Sequence, residues 1–256
     1  MRTARRHLPK GYIRELPCLI QSPSSGHPRV YDIAIELISH ADGRVDIEGL
    51  CAFVAAYQTI TPLRLGELWA IPIMLRLALI ENLRRASVDV SSGQRERARA
   101  GVWADEMVAV AAKEPARVVL VLADMVRQNP TPNKAFVTEF ASRVQAQGTS
   151  LAIAMSWLEH RLAEQGQTVD QVFQLTSQSQ AAAQVSIGNS IGSLRFLGAT
   201  DWRDFVEATS AVEATLRLDP TGVYPQMDFA TRDRYRHVVE QVAKTSEASS
   251  SKPVAK

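Results

Sequence analysis

The feature that most constrains this chain is a long apolar run at residues 60–85, ITPLRLGELWAIPIMLRLALIENLRR. A helix that spans a membrane needs about 20 consecutive, mostly apolar residues. The longest segment of the run without a charged side chain is eight residues, 68–75, and Glu67 and Arg76 stand at its two ends. The run therefore predicts a core helix of a soluble domain rather than a membrane span.

Four residues in the run carry local signals. Thr61 and Pro62 are typical of a helix start, because the hydroxyl can cap the first turn and proline there gives up an N–H that has no partner. Pro72 predicts either a kink or the end of one helix and the start of another. Arg76 has apolar neighbours one turn away, so on a buried face it needs an acidic partner or carbonyls from another segment. The alternative is an arginine directed at an anionic ligand.

The rest of the chain predicts more helices. Apolar side chains recur at helical spacing along most of it, and aromatic residues make up only 6% of the composition. Residues 116–128, ARVVLVLADMVRQ, suit a buried strand by their VVLVL core, but the flanking residues favour a helix. Asp46 and Asp201 are positioned to cap helices. We expect an all-α, multi-helix domain of about nine or ten helices.

The expected organisation has three parts. Residues 1–27 form a basic, partly extended N-terminal segment without the apolar stretch of a signal peptide, and residues 28–245 form the helical domain. A break near residue 148 would divide that domain into two helical subdomains. The Ser-rich residues 246–256 are expected to be a disordered tail. The segment SIGNSIGS, residues 186–193, has two glycines at helical spacing and predicts close approach of another segment.

No motif for chemistry stands out in the sequence. The two cysteines and five histidines form no metal-ligand spacing, and no phosphate-binding loop, nucleophile elbow or paired-aspartate metal motif is present. A net charge of +2 gives no reason to expect a nucleic-acid partner. No catalytic, cofactor-binding or metal-binding residue is therefore predicted. The residues with a candidate structural or interface role are Glu67, Trp69, Arg76, Arg232, Asp233, Arg234, Tyr235 and Arg236.

The basic cluster at residues 232–236 allows two interpretations. Its three arginines alternate with an aspartate and a tyrosine, so the cluster could grip an anion. More often such a run is a solvated helix face whose charges pair with one another.

Four long strings resemble a known family. They are PRVYDIAIELISHADGRVD (28–46), FVAAYQTITPLRLGELWAIPIMLRLALIENLRR (53–85), QVSIGNSIGSLRFLGATDWRDFVE (184–207) and MDFATRDRYRHVVE (227–240). They are similar, in the same order, to the N-terminal region of bacterial cyclic β-1,2-glucan synthases. The similarity extends over roughly residues 8–246.

That resemblance implies a very large, multi-pass enzyme of the bacterial inner membrane. Such enzymes use UDP-glucose and a divalent metal to build β-1,2-linked glucan on a protein primer, and then cyclise and release it. The glycosyltransferase, the membrane spans and a phosphorylase-like part lie C-terminal to the matched region. The resemblance thus implies no cofactor for this chain, a cytoplasmic location at the cytosolic face of the membrane, and the rest of the synthase as partner.

Three functional hypotheses follow. The first is a non-catalytic helical segment that supports the transferase of a cyclic β-1,2-glucan synthase. The second is a free-standing helical protein-interaction module. The third is a helical enzyme with its own site around Glu67, Trp69, Arg76 and the 232–236 cluster, although the chain alone has no catalytic motif.

Overall fold

The computed structural model describes residues 16–18, 26–128 and 131–250, with side chains described as far as residue 246. Within these residues the chain is all-α and contains no β-strand, as predicted. Its ten α-helices are α1 (Arg29–His40), α2 (Ile47–Gln58), α3 (Leu65–Lys113), α4 (Val118–Gln128), α5 (Lys134–Gln145), α6 (Ala152–Ala163), α7 (Val169–Ala199), α8 (Trp202–Thr209), α9 (Ala211–Leu216) and α10 (Phe229–Ser250). The ambiguous stretch 116–128 is therefore helical over most of its length.

The helix that carries the opening run begins later than its sequence signal predicts. Its first residue is Leu65 rather than Pro62. The Glu67 carboxylate accepts a hydrogen bond from the backbone N–H of Arg64, 2.9 Å away, and Glu240 accepts one from the N–H of Leu65. These carboxylates satisfy donors of the first turn and so fix the start of the helix three residues further along.

Pro72 lies within this helix and does not divide it. The helix continues from Leu65 to Lys113, so the prediction that one helix ends at Pro72 and another starts there is wrong, while the kink stays a prediction. Among the described residues, no helix combines the length and the apolar character that a membrane crossing requires.

The chain divides into two compact units, the first made of Met1–Leu83 and Ser186–Lys256 and the second of Arg84–Val185. Helices α3 and α7 contribute residues to both. Residue 148, near which the sequence predicts a break, lies inside the second unit, between α5 and α6. Those two helices share one apolar core, since Phe136 and Phe140 of α5 and Leu158 of α6 are all fully buried.

The core of the first unit is apolar and is built mainly by α1, α2, the first part of α3, the end of α7 and α8. Asp46 caps α2 and Asp201 caps α8, as predicted. The predicted N-terminal segment 1–27 lies outside the described residues apart from residues 16–18 and 26–27. At the other end, α10 continues through Ser250 into the predicted tail, and residues 251–256 lie outside the described part.

The turn between α1 and α2 packs closely against α7 in the first unit. Ser193 accepts a hydrogen bond from the backbone N–H of Val45 and donates one to the carbonyl of Gly43, both at 2.8 Å. Gly43 has φ +79°, and a Cβ there would collide with the Ser190 hydroxyl. The close approach predicted at residues 186–193 therefore depends on Gly43, whereas a Cβ at Gly188 or Gly192 would meet nothing within 4 Å.

Candidate functional site: a buried ionic cluster

Helix α10, in the first unit, has charged side chains on its inward face. Arg236 is fully buried, and Asp233 is only 8% exposed. A buried charge needs a partner, because transfer of an isolated ion out of water costs several kcal/mol. Arg236 forms ion pairs with Glu207 at 3.1 Å, with Glu213 at 2.6 Å and with Asp233 at 3.1 Å.

We call these charged groups and their close partners the ionic cluster. Three short elements supply it in addition to α10. Helix α8 carries one carboxylate, α9 carries another and is followed directly by an arginine, and a short turn before α10 carries a tyrosine. Its members are Glu207, Glu213, Arg217, Tyr224, Arg232, Asp233 and Arg236.

Glu213 is the most enclosed carboxylate of the cluster, at 1% exposed. Its position follows from local sequence, because the Ser210 hydroxyl accepts a hydrogen bond from the Glu213 N–H at the first turn of α9. Burial by itself would raise the pKa of this carboxyl. Hydrogen bonds from the Tyr224 hydroxyl, at 2.6 Å, and from Arg236 outweigh burial and hold the pKa below its usual range.

Tyr224 is held in place by the loop that precedes it. The Asp219 carboxylate accepts hydrogen bonds from the hydroxyl and the backbone N–H of Thr221 and from the backbone N–H groups of Val223 and Tyr224. These bonds lower the pKa of Asp219 to about 2. Burial and the Glu213 carboxylate together raise the pKa of the Tyr224 phenol, so it stays protonated as a donor.

A second charged group lies at the start of α3. Glu67 is fully buried and accepts two hydrogen bonds from Arg29, at 2.6 and 2.7 Å. Arg29 also donates to the carbonyl of Pro62 at 2.9 Å. Despite partial burial, the hydrogen bond to Glu67 raises the pKa of Arg29. This pair ties α1 to the N-terminus of α3.

The predicted site residues separate into different surroundings. Trp69 is fully buried and makes an edge contact with Phe229, with ring centroids 6.3 Å apart. The guanidinium of Arg236 lies over the same phenylalanine, 4.9 Å from its centroid. Phe229 thus connects Trp69 with the ionic cluster by packing, while Glu67 is engaged with Arg29.

Arg76 lies apart from these groups. Its side chain is partly exposed and donates a 2.7 Å hydrogen bond to the carbonyl of Leu197 on α7. Its described contact is thus a backbone carbonyl of another helix.

The 232–236 run divides between the two faces of α10. Arg232 pairs with Glu207 at 2.8 Å, and Asp233 and Arg236 are buried, so these three do not form the solvated face that such a run usually indicates. Arg234 is exposed, and Tyr235 is 47% exposed while making an edge contact with Tyr224. The full burial of Arg236 and its three carboxylate partners leave it no open face for an anion from solvent.

Sequence reasoning missed the acidic half of the cluster. Glu207 and Glu213 precede Arg236 by 29 and 23 residues, so no local spacing connects them. One signal was present, because Ser210 and Glu213 have the spacing of a capping box at the start of α9. The described residues contain no group of three or more His, Cys, Asp or Glu side chains that could hold a metal ion.

Comparison with known proteins agrees with the resemblance seen in the sequence. Over 242 residues, 94% of this chain, it is 31% identical to the cyclic beta-(1,2)-glucan synthase NdvB of Rhizobium meliloti (strain 1021). The predicted resemblance is confirmed. The chain spans only 8% of the length of that relative. No protein-family model matches the chain.

Proposed function

We propose that this chain is a non-catalytic helical segment of a cyclic β-1,2-glucan synthase, acting at the cytosolic face of the bacterial inner membrane. In this role it supports a glycosyltransferase that lies in the remainder of the synthase. The observation that carries the proposal is the similarity to NdvB, which extends over 94% of this chain but over 8% of the relative. UDP-glucose and a divalent metal would be bound by the remainder.

The contacts of the buried charged groups support a structural role. Glu67 is paired with Arg29, and the carboxylates of Glu213 and Asp233 are paired with Arg236. A general acid or base has to reach a substrate proton directly or through one water. Groups that are buried and paired with one another instead hold helices in register.

The test is restoration of glucan synthesis. NdvB of Rhizobium meliloti is produced without the segment that matches this chain, and radiolabelled glucose is followed from UDP-glucose into glucan. The present chain is then supplied either as a separate protein or fused in place of the missing segment. Membranes that contain intact NdvB, and membranes without added chain, are the two controls.

We expect the fused chain to restore synthesis, and the separate chain to do so if docking alone is sufficient. Circular dichroism shows whether the separate chain is folded. A folded chain that restores nothing in either form would overturn the proposal and favour a free-standing interaction module.

A further inference from the structure

Helix α10 has its two faces arranged opposite to those of an ordinary surface helix. Surface helices usually turn an apolar stripe toward the core and a polar face toward water. In α10 the inward face carries Arg232, Asp233 and Arg236. The four outward apolar side chains are Tyr235, Val238, Val239 and Val242, which are 39–59% exposed.

The outward side chains form a continuous stripe. Their spacing of three, four and seven residues places them on one side of the helix. We call these four residues the outward stripe. Exposed apolar groups scattered singly need no explanation, but a contiguous row on one helix face marks an interaction surface. A row at this spacing is the pattern with which an amphipathic helix meets an apolar groove or another helix.

The ionic cluster explains why the stripe stays outward. A rotation of α10 that turned the outward stripe toward the core would bury the valines. The same rotation would separate Arg236 from Glu207 and Glu213. A buried carboxylate without its partner is strongly destabilising. Glu240 adds a further restraint, because its carboxylate is bonded to the first N–H of α3.

A charge beside the stripe indicates the character of its partner. Arg234 is exposed on α10 and lies one turn before Val238. Among the described side chains of that helix, the acidic ones are Asp233 and Glu240, and both are bonded inward. An apolar surface with an arginine at its border is complementary to an apolar surface with a carboxylate at its border.

We propose that the outward stripe is the docking surface for another part of the same synthase polypeptide, an apolar segment bordered by Asp or Glu. This inference rests on the proposed function. We choose the synthase as the source of the partner because this chain spans 8% of the NdvB length, so 92% of that length lies outside the matched stretch. A second copy of the chain and an anionic membrane surface are the outcomes that the test must separate from it.

The experiment measures binding of the whole chain to purified NdvB that lacks the matched segment. The test variant is Val238→Asp/Val242→Asp, which places two charges in the stripe. The matched control is Leu218→Asp, since Leu218 is 79% exposed and lies outside α10. Both variants alter exposed positions, and the urea midpoint of each is compared with that of the wild type.

We expect the stripe variant to bind about tenfold more weakly or worse, and the Leu218 variant to bind within about twofold of the wild type. Arg234→Glu should weaken binding less and reduce its dependence on salt. A stripe variant that binds as tightly as the wild type would overturn the inference while the proposed function stands, provided that the wild type restores glucan synthesis. A wild-type chain that neither binds nor restores synthesis would overturn both.

Two further measurements separate the other occupants. Light scattering reports whether the free chain is a dimer that the stripe variant converts to a monomer, which would assign the stripe to a second copy. Co-sedimentation with vesicles of phosphatidylcholine and phosphatidylglycerol reports whether the stripe binds an anionic membrane. Either result, with no loss of binding to truncated NdvB, would overturn the inference.

Discussion

The two units of this chain are stabilised in different ways. In the second unit the described buried side chains are all apolar, and its ion pairs, such as that of Arg143 with Asp105, lie at the surface. In the first unit an apolar core is accompanied by buried charges, namely Glu67, Glu213, Asp233 and Arg236. Each of these charges has an ionic partner on another element or one turn away.

The difference determines how strictly each unit holds its helices in one arrangement. Apolar packing is non-directional and tolerates exchange of similar side chains. Buried ion pairs add little net stability but make a wrong arrangement costly, because any change of register leaves an uncompensated charge. The first unit therefore holds one element, α10, in a defined rotation with its apolar stripe toward solvent.

The largest expected loss of stability comes from the apolar unit. Phe140 is fully buried on α5 and stacks on Phe136, with ring centroids 5.6 Å apart. Phe140→Ala should lower the free energy of unfolding by about 4 kcal/mol, because it removes a large apolar side chain and leaves a cavity. Urea unfolding followed by circular dichroism measures the loss. A change no larger than that of a surface substitution would show that the α5–α6 core is not a packed one.

The next largest loss should come from the ionic cluster. Arg236→Ala leaves Glu213 buried without its nearest cationic partner, 2.6 Å away, so we expect about 3 kcal/mol of lost stability. Arg143→Ala is the control, because Arg143 also pairs with more than one carboxylate, here Asp105 and Glu139, but at the surface. Its urea midpoint should stay close to that of the wild type. Equal shifts of the two midpoints would remove the distinction between the units.

A smaller loss is expected at Arg76. Its guanidinium donates one hydrogen bond to the carbonyl of Leu197 and is partly exposed, so water can replace part of the interaction. Arg76→Ala should cost about 1.5 kcal/mol, less than a buried ion pair. The measurement is again the urea midpoint, with the dependence of the free energy of unfolding on urea concentration unchanged from the wild type. A loss equal to that of the Arg236 variant would place Arg76 among the buried charges of the first unit.

The smallest effect is the pH dependence contributed by Glu213. Because the pKa of this carboxyl is lower in the folded chain than its ordinary value of about 4.3, its contribution to stability is complete above that value. The contribution is lost as the pH falls through the lowered pKa. Unfolding free energies measured from neutral pH downward should therefore fall more steeply below about pH 4.3 for the wild type than for Glu213→Gln. Parallel profiles would show that Glu213 titrates normally.

The sequence predicted the helices better than their contacts. Helical spacing of apolar residues was enough for an all-α chain, and Asp46 and Asp201 were recognised as caps because capping is local. The prediction that α3 starts at Thr61 and Pro62 is wrong, because the helix begins at Leu65. The groups that set the start act over long separations, since Glu240 is 175 residues from Leu65.

The ionic cluster shows the same limit. The arginines of residues 232–236 were identified as candidates, but their partners Glu207 and Glu213 lie on other helices. Helical periodicity gives the two faces of α10 but not which of them is buried. The apolar face would ordinarily be assigned to the core, and only the carboxylates of α8 and α9 reverse that assignment.

The most direct test of the central claim compares hydrogen exchange in the two units. Backbone exchange of the whole chain is measured by mass spectrometry alone and with NdvB that lacks the matched segment. A segment that docks through the outward stripe predicts slower exchange in α10 and unchanged exchange in α5 and α6 of the second unit. Protection in α5 and α6 with none in α10 would contradict the account, as would a bound complex without protection in either unit.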